Sequence, residues 1–233
     1  MCPQSGSSRW PATTITPFLG LNSATGLEGS RADYPRLMAN KTDEVECWSS
    51  FKVWLFSLFN RNPDSNPALV DHAGLTADDR FLDVGCGLGA VLEHAAATNA
   101  EVAGVDPSPA MVERASQRVP HAKVKVGSAE NISFPDDYFS VVANVSSYHH
   151  WAKPDDGLAE ILRVLAPGGR LLIAEKRLRR KKGHGLHPDG ADQVARTLNR
   201  LGYARSDVDS LKVGRTEFLV VSGMAPASKS SST

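Results

Sequence analysis

The sequence predicts an α/β fold in which helices cover both faces of a mostly parallel, doubly wound sheet. From Phe81 to about Leu201, short apolar segments alternate with segments whose apolar residues recur at helical spacing. A turn with three glycines follows the first apolar segment, and Asp83 and Asp106 stand at the ends of the first two. Ligands of such folds bind beyond the carboxyl ends of the parallel strands. We therefore expect the binding site at these two acids.

Strands and helices follow each other in a regular order along this region. Short apolar segments predict strands over 81–84, 101–105, 122–126, 139–145 and 170–175. Three helices are predicted between them, with apolar faces formed by Val91, Leu92, Ala95 and Ala96, by Met111, Val112 and Ala115, and by Leu158, Ile161, Leu162 and Leu165. The last predicted elements are a helix over 191–201 and strands over 210–213 and 216–222.

The two ends of the chain differ in composition from this central region. Residues 1–39 are rich in Ser, Thr, Gly and Pro and have no apolar period, and the tail over 225–233 is rich in Ser, so both are predicted to be disordered. The predicted domain spans 40–224, with a helical lid over 40–75 that either packs on the core or covers the substrate. Met38 is an alternative translation start. The apolar residues of the predicted lid helix are Val45, Trp48, Phe51, Leu55, Phe56 and Phe59.

Composition excludes several classes of protein. The formal net charge of zero argues against bulk electrostatic attraction to nucleic acid or to an anionic membrane. Cys2, Cys47 and Cys86 are too few and too scattered for a disulfide framework, so a reducing cytoplasm is the simplest setting. No segment approaches the roughly 18 apolar residues of a membrane span. These features predict a cytoplasmic protein without a membrane span.

The glycine turn indicates the kind of ligand. Gly85, Gly87 and Gly89 stand at alternate positions, which lets the chain turn sharply and approach a ligand closely. A nicotinamide fingerprint would place its last glycine one position later, so this spacing favours S-adenosylmethionine. Asp83 precedes the turn, where a carboxylate can offset the α-ammonium of the methionine end directly or through water.

Five blocks downstream of the turn strengthen this interpretation. They are Val102–Asp106, Pro107–Met111, Gly127–Asp136, Val141–His150 and Leu162–Glu175. Together with the glycine turn, they resemble class I S-adenosylmethionine-dependent methyltransferases, most closely the group that includes the ubiquinone and menaquinone biosynthesis methyltransferases. The resemblance covers about residues 80–175.

The resemblance implies a Rossmann-like, seven-stranded sheet whose last strand runs antiparallel. It implies S-adenosylmethionine as cofactor and S-adenosylhomocysteine as product. Asp106 would accept both ribose hydroxyls, and Ser128 stands where the family commonly has Asp or Asn in its adenine-contacting loop. The residues expected to bind the cofactor are Asp83, Gly85, Cys86, Gly87, Gly89, Asp106, Pro107, Ser128, Ala129, Glu130, Val145 and Ser146.

Methyl transfer from a sulfonium requires mainly proximity and orientation, although a base helps when the acceptor must lose a proton. Tyr148, His149, His150 and Glu175 are the candidates near the strand ends, and His149 is the first choice as catalytic residue. The alternative is that the two histidines only cap the strand exit. Ser147 would contact methionine or substrate, or serve as an ordinary turn residue.

Two polar clusters follow the fifth predicted strand. The run over 176–182 contains six cations and is either a solvated loop or a contact for an anionic substrate, a phospholipid headgroup or RNA. It lacks the interleaved aromatic residues that stack on bases, so nucleic acid is not an expected partner. His184, His187 and Asp189 lack a supporting cysteine and lie among Gly and Pro, so no metal site is predicted.

The sequence therefore favours methyl transfer to a small-molecule acceptor, because no separate recognition domain is evident. Two alternatives stay open at this stage. One is an RNA or protein methyltransferase that uses the basic run, and the other is a cofactor-binding scaffold without turnover. The acceptor atom and the oligomeric state do not follow from the sequence.

Overall fold

The computed structural model describes residues 65–228. Its helices are α1 (Ser65–Ala73), α2 (Ala90–Ala96), α3 (Pro109–Arg118), α4 (Pro154–Val164) and α5 (Pro188–Arg200). Its strands are β1 (Arg80–Val84), β2 (Glu101–Asp106), β3 (Lys123–Val126), β4 (Phe139–Val145), β5 (Leu165–Lys176), β6 (Arg205–Val213) and β7 (Thr216–Met224). A short 3-10 helix, Tyr148–His150, follows β4.

The seven strands form one sheet in the order β3-β2-β1-β4-β5-β7-β6. The pairs among β1 to β5 are parallel, whereas β7 is antiparallel to both β5 and β6. The strand order reverses between β1 and β4, and Asp83 at this point is in register with Gly104 of β2 and Ala143 of β4. Ligands of doubly wound sheets bind at such a switch point. The predicted seven-stranded sheet with an antiparallel last strand is confirmed.

Alternate residues of the strands build two apolar cores, one on each face of the sheet. Leu82 of β1 joins Leu158 and Ile161 of α4 on one face. Phe81, its neighbour in the chain, joins Leu92 of α2 on the other. Successive side chains of a strand point to opposite faces, so a strand buried on both faces is apolar along its length. This explains why the apolar segments were recognisable as parallel strands.

Strand β5 begins earlier than predicted. Leu165, which the helical spacing assigned to the preceding helix, is the first residue of β5, and α4 ends at Val164. The following Ala-Pro-Gly-Gly segment cannot continue a helix, because proline lacks the amide donor and glycine costs backbone entropy. The pairing of β4 with β5 shifts register between Phe139 and Val141, which accommodates this segment.

Three further boundaries differ from the prediction. Helix α5 begins at Pro188, after His187 whose ring accepts a hydrogen bond from the Asp189 amide. Strand β6 begins at Arg205, earlier than predicted. Its first residues were not recognised as a strand, because an edge strand with exposed polar residues at alternate positions has only a weak apolar pattern. Ala225 is 1% exposed and its amide donates to the Gly169 carbonyl. The packed domain therefore extends past the predicted boundary at Met224.

Helix α1 lies within the predicted lid and packs on the core. Leu69, Val70 and Ala73 are buried in the same cluster as Phe81. Residues 40–64 of the predicted lid, which include the predicted helix from Val45 to Phe59, lie outside the described residues. So do Met38, the predicted disordered N-terminal segment and residues 229–233 of the predicted tail. Within residues 65–228, no helix has the length and apolar character needed to cross a membrane.

Candidate active site

The carboxyl ends of the parallel strands open into a cleft of about 620 Å³. Eleven of the twelve residues expected to bind cofactor line it. The exception is Gly89, where an added Cβ would lie 3.0 Å from the Ala115 Cα, so this glycine lets α2 pack closely on α3. The cleft is also lined by Asn66, Ser147, His149, His150, Trp151, Glu175, Lys176 and His184.

The glycine turn requires backbone conformations that favour glycine. Gly85 and Gly87 have φ values of +79° and +50°, in the left-handed region. An added Cβ at Gly85 would lie 2.1 Å from Ser147 Oγ, whereas one at Gly87 would meet nothing within 4 Å. Gly85 therefore permits the contact between the turn and the β4 exit, and Gly87 keeps the cleft wall open.

Asp106 is buried at the end of β2 and accepts two backbone hydrogen bonds. Its Oδ2 accepts from the Gly87 amide and its Oδ1 from the Ser108 amide, each at 2.9 Å. Burial raises the pKa of this carboxyl, and the two amides oppose that effect because they stabilise the charged form. Each carboxylate oxygen keeps a further lone pair for a ligand.

Asp83 is 2% exposed and has an unsatisfied oxygen. Its Oδ1 has no hydrogen-bond partner among the described residues. Burial and the nearby charge of Asp106 raise the pKa of the Asp83 carboxyl to about 8. A cationic ligand group in the cleft would compensate this carboxylate.

Cys86 is buried beside the two acids. Burial and the charges of Asp83 and Asp106 raise the pKa of its thiol well above the usual value. A neutral, buried thiol is a poor nucleophile. Cys86 lines the cleft, and its contact with the cofactor through the backbone stays a prediction.

The loop after β3 forms another wall of the cleft. The Gly127 amide donates to the Asp106 carbonyl, and Ser128 pairs with Asn131 in an isolated antiparallel bridge. The Glu130 carboxylate accepts from the Lys153 amide at 3.0 Å, and Ala129 is buried. These contacts hold the loop predicted to face adenine against β2 and α4.

Asn144 and Ser147 tie the β4 exit to the end of β1. Asn144 Nδ2 donates to the Val84 carbonyl at 2.7 Å and to Ser147 Oγ, and Ser147 Oγ donates to the same carbonyl at 3.1 Å. Ser147 thus has a supporting role in the turn. Between them, Ser146 has a φ of +55°, which is uncommon for a residue other than glycine. Sequence reasoning missed Asn144, although a polar residue inside an apolar strand was a usable signal.

His149 forms a pair with Glu175, which is completely buried. The His149 Nδ1 lies 3.0 and 2.9 Å from the two carboxylate oxygens. Because a carboxylate only accepts hydrogen bonds, this contact places a proton on Nδ1. In the neutral ring, Nε2 then carries the lone pair. The side chain of His149 is therefore held by a buried carboxylate.

The other candidate bases differ from His149. Burial raises the pKa of the Tyr148 hydroxyl, which disfavours its loss of a proton. Glu175 is occupied by its contact with His149. Of the predicted candidates, His149 and His150 offer ring nitrogens in the cleft.

The basic run folds back along the end of β5. Leu178 and Lys176 exchange backbone hydrogen bonds with Leu186, which brings His184 to the cleft. The His184 Nδ1 lies 3.3 Å from the His149 Nε2. Sequence reasoning missed this contact, because the two residues are 35 positions apart.

Two cations of the run form ion pairs. Arg177 lies 2.7 Å from the Glu217 carboxylate, and Lys181 lies 2.6 Å from that of Asp189. Both pairs are exposed at the surface. The run is thus partly neutralised, and Lys176 is its member that lines the cleft.

The central part of the chain is similar to known methyltransferases. The methyltransferase domain family matches residues 82–173. A methyltransferase of Mycobacterium tuberculosis is 33% identical over 109 residues, covering 47% of this chain and 44% of that protein. The ubiquinone biosynthesis O-methyltransferase of Maricaulis maris is 34% identical over 142 residues, covering 57% of this chain and 56% of that protein. The chain thus spans about half the length of these relatives.

A solved structure shares the fold. The S-adenosylmethionine-dependent methyltransferase from Aquifex aeolicus superposes with a TM-score of 0.61 at 22% identity, over 76% of this chain and 98% of that one. Residues 82–173 match the model of the methyltransferase domain family. The resemblance to class I S-adenosylmethionine-dependent methyltransferases is therefore confirmed.

The cleft fits the groups of S-adenosylmethionine. The unsatisfied oxygen of Asp83 matches the need of an α-ammonium for a buried acceptor. Asp106 has lone pairs for hydroxyl donors, and Gly87 leaves space beside it. The structure thus places acceptors suited to the α-ammonium and to the ribose hydroxyls of the cofactor at one edge of the sheet.

Proposed function

We propose that the protein transfers a methyl group from S-adenosylmethionine to a hydroxyl of a small-molecule acceptor. The observation that carries this proposal is that one cleft holds both Asp83, whose Oδ1 is unsatisfied within the described residues, and the paired His149 and Glu175. The first feature suits the cofactor and the second suits an acceptor. When bound, S-adenosylmethionine would supply an electrophilic methyl group, which an acceptor oxygen held in line would take while S-adenosylhomocysteine leaves.

The chain's own residues divide the work of binding. Asp106 accepts hydrogen bonds from the ribose hydroxyls, and Asp83 compensates the α-ammonium. Ser128, Ala129 and Glu130 face the adenine, while Gly85, Cys86, Gly87, Pro107, Val145 and Ser146 line the rest of the cofactor site. Gly89 acts indirectly, because it sets the packing of the helix that follows the turn.

His149 activates the acceptor in this proposal. Its ring is held by Glu175, which leaves Nε2 directed away from the buried carboxylate. Only 12% of the side chain is exposed, but it lines the cleft, so an acceptor hydroxyl can approach it from there.

The size of the cleft supports a small acceptor. Its volume of about 620 Å³ lies within the range of roughly 300–1,000 Å³ that is typical of small-molecule sites. The Maricaulis maris relative is an O-methyltransferase of ubiquinone biosynthesis, which favours an oxygen acceptor. The ion pairs of Arg177 and Lys181 count against a nucleic-acid surface, because paired cations attract phosphates less strongly.

The cofactor assignment is tested with Asp106→Ala. A hydrogen bond to a charged group contributes about 1.5–3 kcal/mol, so affinity for S-adenosylmethionine should fall by roughly ten- to a hundredfold. Isothermal titration calorimetry measures this change. Asp192→Ala, which removes an exposed acid on α5, is the control and should keep the original affinity. Equal affinities in all three proteins, or binding of a nicotinamide cofactor instead, would refute the assignment.

The catalytic assignment is tested with His149→Ala. Turnover with a panel of phenols and other hydroxyl compounds is followed by mass spectrometry of S-adenosylhomocysteine. The turnover rate of the variant should be about 10²–10⁴-fold lower, while its affinity for the cofactor should stay the same. His121→Ala, an exposed residue outside the cleft lining, should behave as the original protein. Tight cofactor binding without methyl transfer to any acceptor would instead support a scaffold.

A further inference from the structure

We propose that His149, His150 and His184 bind a divalent transition-metal ion at the acceptor end of the cleft. The role of the ion rests on the proposed function, in which the ion would activate the acceptor in place of proton removal by His149, because His149 Nε2 would then be a ligand. Its binding can be measured independently. The sequence predicted no metal site, because it offered only the weak grouping of His184 with His187 and Asp189. In the structure, the His187 Nδ1 instead accepts a hydrogen bond from the Asp189 amide at the start of α5.

The ring nitrogens are close enough to share an ion. One ligand atom from each histidine lies within 4.8 Å of the others. Zinc binds imidazole nitrogen at about 2.0–2.1 Å, and tetrahedral geometry then separates two such nitrogens by about 3.3–3.4 Å. The His149 Nε2 and His184 Nδ1 are 3.3 Å apart. These two nitrogens therefore fit without rearrangement, and His150 needs a side-chain shift of ~1.5 Å at most to complete the set.

Glu175 would orient one of the proposed ligands, His149. Metal-binding histidines usually donate their other ring nitrogen to a carboxylate, which orients the ring and makes it a stronger ligand. His149 has this arrangement, because its Nδ1 lies 2.9 Å from the Glu175 Oε2. Glu175 is completely buried, so a cation bound to the far side of the ring would also compensate its charge.

The donor set and the position of the cluster indicate the metal and its role. Three imidazoles suit zinc, cobalt, nickel or copper better than magnesium or calcium. A site with three histidines keeps a coordination position for water or substrate. Since all three histidines line the cleft, this position is available to an acceptor oxygen. The ion would lower the pKa of a hydroxyl bound there, so the hydroxyl would release its proton to solvent more readily, and its oxygen would take the methyl group while S-adenosylhomocysteine leaves.

Cobalt binding to the metal-free protein tests this site. The protein is treated with a chelator, dialysed and titrated with Co²⁺, and the visible absorption of four-coordinate cobalt is recorded. We expect one equivalent to bind and Zn²⁺ to displace it. Glu175→Gln should weaken the affinity by about 10–100-fold, and His184→Ala by more, because it removes a ligand.

His187→Ala is the matched control, since it removes a histidine of the same loop from outside the cluster. It should bind Co²⁺ as the original protein does. Absence of the cobalt spectrum, or equal affinity in His184→Ala, would overturn the proposal. Calorimetry with S-adenosylmethionine on each variant separates the two proposals. Cofactor binding without metal binding would leave only the proposed function standing, and metal binding without cofactor binding would leave only the metal site.

Discussion

Asp83 shows how a single residue can favour binding at the expense of stability. A buried carboxyl with an unsatisfied oxygen destabilises the fold unless it keeps its proton or meets a cation. The sequence predicted that Asp83 stands at a strand tip and faces a ligand. It did not predict the raised pKa, because that depends on the depth of burial and on Asp106, which lies on the neighbouring strand. The contacts of Asn144 with Val84 and of His184 with His149 were missed for a similar reason, since these partners are distant in the chain.

The raised pKa of Asp83 predicts a pH-dependent stability in the absence of cofactor. The folded protein holds the Asp83 proton up to a pH of about 8, whereas the unfolded chain releases it near 3.8. Unfolding therefore releases a proton in this window, and stability should fall as the pH rises, by up to about 1.4 kcal/mol per pH unit. Asp83→Asn should flatten this dependence and weaken binding of S-adenosylmethionine.

Urea denaturation at several pH values between 4 and 8 measures this effect. Asp106 and the thiol of Cys86 are the titratable groups that interact with Asp83, and both stay in the variant. The comparison between the two proteins therefore isolates the Asp83 carboxyl. Identical slopes for both proteins would show that Asp83 does not hold its proton as the structure indicates.

At the scale of the elements, the buried strands were the easiest to predict and the edges were the hardest. Strand β4 was predicted with its observed bounds, because most of its residues are apolar and buried. Strand β6 was placed five residues late, since its exposed alternate positions are polar. The glycine turn between β1 and α2 was predicted from its spacing. The different reasons for its glycines appeared only with the contacts to Ser147 and Ala115.

The turn predicts different costs for two similar substitutions. Both Gly85→Ala and Gly87→Ala force alanine to a positive φ, which costs about 1–2 kcal/mol. Gly85→Ala should cost a further 1–3 kcal/mol or so, because its Cβ would overlap Ser147 Oγ. Chemical denaturation of both variants measures this difference.

Ser147→Ala provides the check on this explanation. In the double variant with Gly85→Ala, the missing hydroxyl should relieve part of the overlap, so the two effects should not add. Strict additivity would contradict the predicted contact. A loss of unfolding free energy in Gly87→Ala as large as that in Gly85→Ala would also contradict the overlap with Ser147.

At the scale of the whole molecule, the site lies between β1 and β4, where the strand order of the sheet reverses. The chain order around β1 and β4 brings Asp83, Asp106 and the β4 exit to one edge, which the alternation of strands and helices predicted. The apolar pattern of the sequence could not predict that the chain stays paired with β5 after β7 ends. Ala225 and Pro226 continue alongside Gly169 and Gly168 of β5 through two backbone hydrogen bonds. Their small and rigid side chains carry no strand signal.

This pairing predicts where the chain can be shortened. A variant ending at Ser228 should unfold at the same urea concentration as the full chain, because the Ser-rich residues beyond it are predicted to be disordered. A variant ending at Met224 removes two backbone hydrogen bonds and the buried Ala225. It should lose about 1–3 kcal/mol of unfolding free energy, since each bond contributes roughly 0.5–1.5 kcal/mol. Equal stability of the two shortened proteins would show that these bonds do not support β5, whereas a loss already present at Ser228 would place a structural role in the last five residues.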